Sequence, residues 1–316
     1  MGWLRNLVGG DGGDDHAEEH ERSARALESG GLPLHAERRL RELRDAPGGL
    51  FTSDLTVNEW ALLERERIEP VTQVMGSSIF KTGWRSLPTS ATTGGWYGGW
   101  SGFIREMPQL SDAFNGARER ALARLRAEAQ LAGADAVVAV RLNAGGHDWL
   151  DADTVEFTAV GTAVRLPAEL RTPEPVISDL SGQEFWQLAG AGLRPAGVVG
   201  ITTVVYVASS YRQNRVLGSG GWFSAPNQEL REFTQGFYEA RELALGHLNA
   251  QAARMGAHGI VGVRFTEQTQ EREYERNDRS QRDLIVTVHV LGTGITDGHA
   301  ALAPPEPLTI MPLRGR

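Results

Sequence analysis

The 316-residue chain has no cysteine. Disulfides, thiolate metal sites and a cysteine nucleophile are therefore excluded, and any metal must be held by His, Asp, Glu or backbone oxygen. Lysine is almost as scarce, because Lys81 is the only one. The positive charge is nearly all arginine, which together with abundant Ala and Gly reads as the codon bias of a GC-rich genome. Individual arginines carry little functional weight on that basis. A net charge of −8 with no basic block argues against nucleic-acid binding, since counterion release needs clustered positive charge. No stretch reaches the roughly 20 apolar residues that a bilayer span requires. The apolar start, with Trp3, Leu4, Leu7 and Val8 at helical spacing, is too short and interrupted for a signal peptide. Cytoplasm is the expected location, and this start reads first as a frayed terminus, with a contact for a protein or a membrane surface as the alternative.

What is present is a repeat. Residues 117–143, ARERALARLRAEAQLAGADAVVAVRLN, recur 123 positions later as ARELALGHLNAQAARMGAHGIVGVRFT, with 13 of 27 positions identical. Ser53-Asp54-Leu55 with Glu59 and Leu63 recurs as Ser178-Asp179-Leu180 with Glu184 and Leu188. Both read as short helices capped by Ser or Asp. Val160-Gly161-Thr162 recurs as Leu291-Gly292-Thr293. Duplication of this kind means that one unit was copied and kept, and that the two copies build something together.

The spacing predicts the parts of each copy. A strand over 70–80, or 195–207 in the second copy, is rich in Val, Ile and Thr. A long helix follows, with Phe114, Ala117, Ala121, Leu125 and Ala129 on one stripe and arginines largely opposite. The second copy uses Phe233, Phe237, Ala240, Ala244, Leu248 and Ala252. Gly133 and Gly256 are placed to cap these helices in the left-handed conformation. Strands over 136–142 and 260–265, and again over 154–164 and 284–295, complete a β-α-β-β unit in each copy.

The expected organisation is an acidic, mobile tail with a short helix over residues 1–49 and a first domain over 50–166. A Pro-rich linker over 167–175, a second domain over 176–297 and a Pro-rich tail over 298–316 complete it. The segment from Asp11 to Glu21 has six acidic residues and little to bury, so it reads as a linker. Within it, His16 and His20 flank Glu19 in an H-x-x-E-H pattern that lacks a core to fix it.

GADAVVAV at 133–140 and FTAVGTAV at 157–164, preceded by VTQVMGSSIF at 71–80, resemble the YbjQ family of domains labelled as heavy-metal binding. The resemblance covers about two thirds of the chain in two copies. It implies an α+β, dodecin-like unit that assembles into closed rings, typically pentamers, and it does not imply catalysis. The second copy departs from the pattern at Gly256-Ala257-His258-Gly259, losing the acid at Asp135. The family label brings no ligand set onto named residues.

Three local clusters invite sharper readings. His147, Asp148, Asp151 and Asp153 form a loop whose imidazole and carboxylates suit a divalent metal, with Asp135 as a further donor; the alternative is a polar hairpin. Trp96, Tyr97 and Trp100 lie in the Gly-rich loop GGWYGGWSG, and Trp222 and Phe223 in its counterpart. No Lys-Ser or Lys-Thr follows, so this is not a phosphate loop. These aromatics read foremost as subunit-interface anchors, with own-domain packing or a ligand pocket as alternatives. The histidines of the second copy, His247, His258 and His289, do not converge. The sequence therefore predicts a non-enzymatic, homo-oligomeric binding or scaffold protein of unknown cofactor. A metal-binding protein is the first alternative, and an enzyme with an unrecognised site the second.

Overall fold

The structure, a computed structural model, describes residues 12–45, 51–81, 102–145, 154–210, 212–213, 217, 228–276 and 279–298. Its elements in chain order are helices α1 (Gly12–Glu28), α2 (Leu34–Asp45) and α3 (Val57–Arg65), then strands β1 (Glu69–Lys81) and β2 (Phe103–Glu106), and helix α4 (Pro108–Leu131). Next come β3 (Ala136–Gly145), β4 (Thr154–Arg165) and β5 (Val176–Ile177), helix α5 (Gly182–Gly190) and β6 (Leu193–Ala208). Helix α6 (Arg231–Arg254), β7 (Gly259–Arg276) and β8 (Arg279–Asp297) close the series.

Each copy contributes a strand, a long helix and an antiparallel hairpin, as the spacing predicts, but the sheets are not the expected three-stranded units. One sheet runs β1-β4-β3-β5 and the other β2-β6-β8-β7. Strand β2 belongs to the first copy yet pairs with β6 of the second, Phe103 opposite Ala208 and Glu106 opposite Val205. Reciprocally, β5 opens the second copy and pairs in parallel with β3 of the first. Each copy thus covers part of an edge that its sister would otherwise leave open, one of the ways proteins manage unpaired strands.

The predicted stripe of α4 packs inward, with Ala117, Ala121, Leu125 and Ala129 buried against β1 and β4. The matching residues of α6, Ala240, Ala244, Leu248 and Ala252, are buried on the second sheet. Gly133 and Gly256 both take φ of 71° after their helices, a conformation that is nearly free for glycine. Helix α4 has a second role, because its other face seals the open edge of β6. Asn115 Nδ2 donates to the Thr202 carbonyl (3.1 Å) and Asn115 Oδ1 accepts from the Thr202 N–H (2.8 Å). Ser111 Oγ accepts from the Val204 N–H (3.0 Å). The chain therefore layers sheet, α4, sheet, α6.

Three sequence expectations need correction. The acidic segment read as a mobile linker is helical as α1, whose Glu18–Arg22 and Glu21–Arg25 pairs sit one turn apart and support a helix that buries little. Helices α1 and α2 are tied to the body through Arg124, which donates to the carbonyls of Leu27 (3.0 Å) and Gly31 (3.2 Å), and through the buried Leu40. The short helices α3 and α5, expected to be capped by Ser or Asp of the Ser53-Asp54 and Ser178-Asp179 pairs, are capped instead by Thr56 and Ser181 further along the chain.

The approach of α4 to β1 requires a residue without a side chain at Gly76. A Cβ there would lie 1.9 Å from the Ala121 carbonyl oxygen and 2.6 Å from the Leu125 nitrogen, both backbone atoms. Gly76→Ala is expected to destabilise the fold by about 3 kcal/mol, because the helix itself must shift to relieve the overlap. Urea unfolding measures this; an unchanged midpoint would show that α4 does not seat on β1 as described.

Candidate functional site: a cleft between the two copies

The two copies meet where the Ser-Asp-Leu motifs begin. The second motif is inserted between the sheets: Ser178 N–H donates to the Val137 carbonyl (2.9 Å), and Ala139 N–H donates to the Leu180 carbonyl (2.8 Å). This geometry depends on a bulge in β3, where register shifts between Val138 and Arg141 and Ala139 takes φ of 54°. The equivalent bulge in β7 carries Gly262 at φ 66°. Both Asp residues are fixed from the neighbouring strand. Thr162 Oγ1 accepts from the Asp54 N–H (3.0 Å), and Thr293 Oγ1 from the Asp179 N–H (3.1 Å).

Beyond these motifs lies a cleft of about 690 Å³ lined by equivalent residues of both copies. Asp54 with Asp179, Glu59 with Glu184 and Arg141 with Arg264 face it in pairs. Every one of these carboxylates is engaged. Asp54 pairs with Arg141 (3.1 Å) and Asp179 with Arg264 (2.7 Å). Glu59 and Glu184 close capping boxes, accepting from the N–H of Thr56 (2.7 Å) and of Ser181 (2.8 Å), and Glu59 also accepts from the Gly182 N–H (3.2 Å). Burial raises the pKa of Asp179 above the usual carboxylate value, against the opposing pull of Thr293 and Arg264.

The inner wall of the cleft is different. Arg118 leaves α4, crosses Gly200 of β6, and is only 2% exposed. Its Nη1 donates to Asn115 Oδ1 (2.7 Å) and, at 3.5 Å, to Thr202 Oγ1, while Nη2 has no hydrogen-bond partner. Burial lowers its pKa to about 10, so it stays charged at neutral pH. Beside it His289 shares Thr202 Oγ1 through Nδ1 (2.9 Å), and its buried Nε2 is likewise without a partner. Burial first, and the charge of Arg118 second, push the imidazole down to about 4, so it is neutral at pH 7. Phe114 and Phe157 pack edge-on against its ring, with centroids at 5.5 and 6.1 Å.

Residues 101–167 and again 224–296 match the YbjQ family, whose description reads "Putative heavy-metal-binding". The chain is 38% identical over 224 residues to the encapsulin nanocompartment protein Rv1762c of Mycobacterium tuberculosis, covering 68% of this chain and 77% of that protein. This chain is a member of the YbjQ family. UPF0145 proteins of Shewanella frigidimarina (36% identical) and Thermus thermophilus (35%) match over 22% and 23% of the chain and 63% of their own lengths. No solved structure matches.

The structure brings few of the sequence-selected site residues together. In this YbjQ protein Asp135 accepts from the Leu166 N–H (2.9 Å) and pairs with Arg171 (3.3 Å), which ties the end of β4 to the turn after it. His147, Asp148, Asp151 and Asp153 lie outside the described residues, as do Trp96, Tyr97, Trp100, Trp222 and Phe223. Among the described residues no group of three or more His, Asp or Glu converges to hold a metal. No described helix is long and apolar enough to cross a membrane. Sequence reasoning missed Arg118 and His289, since Arg118 counted as one of several outward arginines and His289 as a scattered histidine. The signal was available only in the pairing of Thr202 with both.

Two outcomes follow from this geometry. Ala139 carries left-handed strain that its counterpart Gly262 avoids, so Ala139→Gly is expected to raise stability by about 1 kcal/mol in urea unfolding. A loss instead would mean that the bulge is not strained. The folded-state pKa of His289 lies below its unfolded value, so its contribution is present above about 6.5 and is lost as pH falls toward about 4. Stability should decline over that window by up to about 3 kcal/mol, and His289→Gln should remove that part of the decline. An identical pH profile for the variant would place the acid sensitivity elsewhere.

Proposed function

We propose that the chain is a non-enzymatic binding and scaffold protein that assembles head to tail into a closed oligomer. The reading is carried by one comparison between the copies: surfaces that are buried where copy meets copy inside the chain recur, exposed, at its two ends. In β3, Val137, Val138 and Val140 are buried beneath the second copy, whereas their equivalents Ile260 and Val261 in β7 are half-buried and Val263 is 38% exposed. Ile177 is 2% exposed, while Phe51, just before its equivalent, is 43% exposed. Gly200 and Val204 of β6 lie beneath α4, whereas their equivalents Met75 and Ile79 on β1 are 51% and 54% exposed. On α6, Tyr238 and Arg241 replace Asn115 and Arg118 and face outward.

These open surfaces are the two halves of the junction already made inside the chain. The segment 51–55 of one chain would pair with β7 of another, and its β1 face would cover α6, as the second copy does to the first. A head-to-tail contact of this kind closes into a ring if the rotation permits, and closed symmetry is the usual end for homo-oligomers. The name of the mycobacterial relative further supports a role in association with a protein nanocompartment.

Native mass spectrometry of the full chain is expected to give one closed oligomer. Met75→Glu combined with Ile79→Glu should reduce it to monomers that keep the wild-type circular dichroism. A monodisperse wild-type monomer at micromolar concentration would overturn the assembly reading. Co-expression with an encapsulin shell protein tests the nanocompartment role, which fails if shells purify without this chain.

A further inference from the structure

We propose that the cleft between the copies binds a small organic anion, with its carboxylate held by Arg118 and His289 and its apolar body lying along Leu142, Ile201 and Leu291. This goes beyond the assembly reading and does not rest on it, because every residue involved belongs to a single chain.

The argument begins with an unbalanced donor inventory. A guanidinium has only donors, and a buried one is normally paired with a carboxylate. Arg118 has no acidic partner within ion-pair distance among the described residues, and Nη2 is left without any acceptor. Its neighbour carries the same deficit. Arg118 can only donate to Thr202, which leaves the hydroxyl proton available to Nδ1 of His289, and we take the tautomer that uses it, with the ring proton on Nε2. Nε2 then becomes a second buried donor lacking an acceptor. Leaving such groups unsatisfied costs about 1–3 kcal/mol each, more for a charged one. Both side chains line the cleft, so an anion admitted there would offer each the acceptor it lacks.

The remaining groups of the cleft decide what kind of anion fits. Its carboxylates, Asp54, Asp179, Glu59 and Glu184, already accept from arginines or from helix-capping amides, so none competes for Arg118. A cation is disfavoured by the guanidinium and by the proton placed on His289, the only imidazole among the described residues that line the cleft. A volume of about 690 Å³ lies in the range of small-molecule sites, which run roughly 300–1,000 Å³. That is far more than a bare inorganic ion fills. The apolar wall supplied by Leu142, Ile201 and Leu291, all part-buried, suits a hydrocarbon or aromatic body. Carboxylate and phosphate heads share the recognition chemistry, and the apolar wall favours the singly charged one.

The junction also explains why this site would occur inside a chain rather than between chains. The equivalent of Arg118 is Arg241, which is exposed and rests over the Phe265 ring at 5.3 Å. The position equivalent to His289 in β4 is Thr158. A junction between chains would therefore lack the second donor.

Isothermal titration of the purified full chain at pH 7 with sodium acetate, hexanoate, phenylacetate and inorganic phosphate tests the proposal. Hexanoate or phenylacetate should bind at one per chain and more tightly than acetate or phosphate. Arg118→Met should weaken that binding about tenfold or more while leaving the ligand-free melting temperature equal to or above wild type, since it removes an unpaired buried charge. A purely structural arginine would instead lower the melting temperature. His289→Gln, which keeps the fold independent of Arg118, should weaken binding by a smaller factor. Heat from no probe, or equal affinity in wild type and both variants, would overturn the site. Phosphate binding tighter than every carboxylate would overturn the organic acid as its ligand. A monomeric wild type would sink the assembly reading and leave this result unaffected.

Discussion

The position of α4 between two sheets is the constraint on which the rest of the structure depends. One helix must present a flat face of alanines to β1 and a hydrogen-bonding face to the open edge of β6. Small side chains at Ala117, Ala121 and Ala129 and the missing side chain at Gly76 allow the first contact. Ser111 and Asn115 make the second by imitating a strand, giving Thr202 and Val204 the backbone partners that a neighbouring β-strand would supply. An edge left without those partners would expose a template for aggregation. Once the helix is committed to both contacts, Arg118, next to the alanine stripe, has nowhere to go but the junction, and its burial follows.

The same sequence in the second copy meets a different environment. Helix α6 has a sheet on one side alone, so Arg241 lies on the surface over Phe265. A related divergence appears at the β1 and β6 edges. Glu128 Oε2 accepts from the Met75 N–H, and burial raises its pKa despite that bond and Arg39 at 3.6 Å. Its equivalent Gln251 makes the corresponding bond to Gly200 N–H with a neutral amide.

The duplication, the elements and the buried stripes were legible in the sequence because they are set by local periodicity. Ala117, Ala121 and Leu125 on the helix depend on residues three and four positions apart, whereas the capping boxes at Thr56 and Ser181 lie beyond the Ser-Asp pairs that the sequence suggested as caps. The exchange of β2 and β5 between copies was not legible. Four residues from Phe103 and two from Val176 carry no strand signal of their own, and they become strands because an open edge waits for them. The acidic α1 was misread for a related reason. Composition predicts solvation there, and it does not register the i to i+4 charge pairs that let a solvated segment stay helical.

Arg118 was illegible for a deeper reason. Sequence periodicity describes a helix against one partner surface, and under that rule a residue beside the stripe faces water. A helix shared by two sheets has two inward faces, and the second mixes an apolar end at Leu110 and Phe114 with the polar groups that meet the edge of β6. Asn115, Arg118 and Thr202 form a set only once β6 is in place, because Thr202 lies 84 residues beyond Arg118 along the chain. The conserved pattern of the repeat even obscures them, since Arg118 and Arg241 align as identical residues. Identity in sequence here records common origin, whereas the difference in burial records what each copy was given to pack against. A functional reading of a duplicated protein has to begin from that difference.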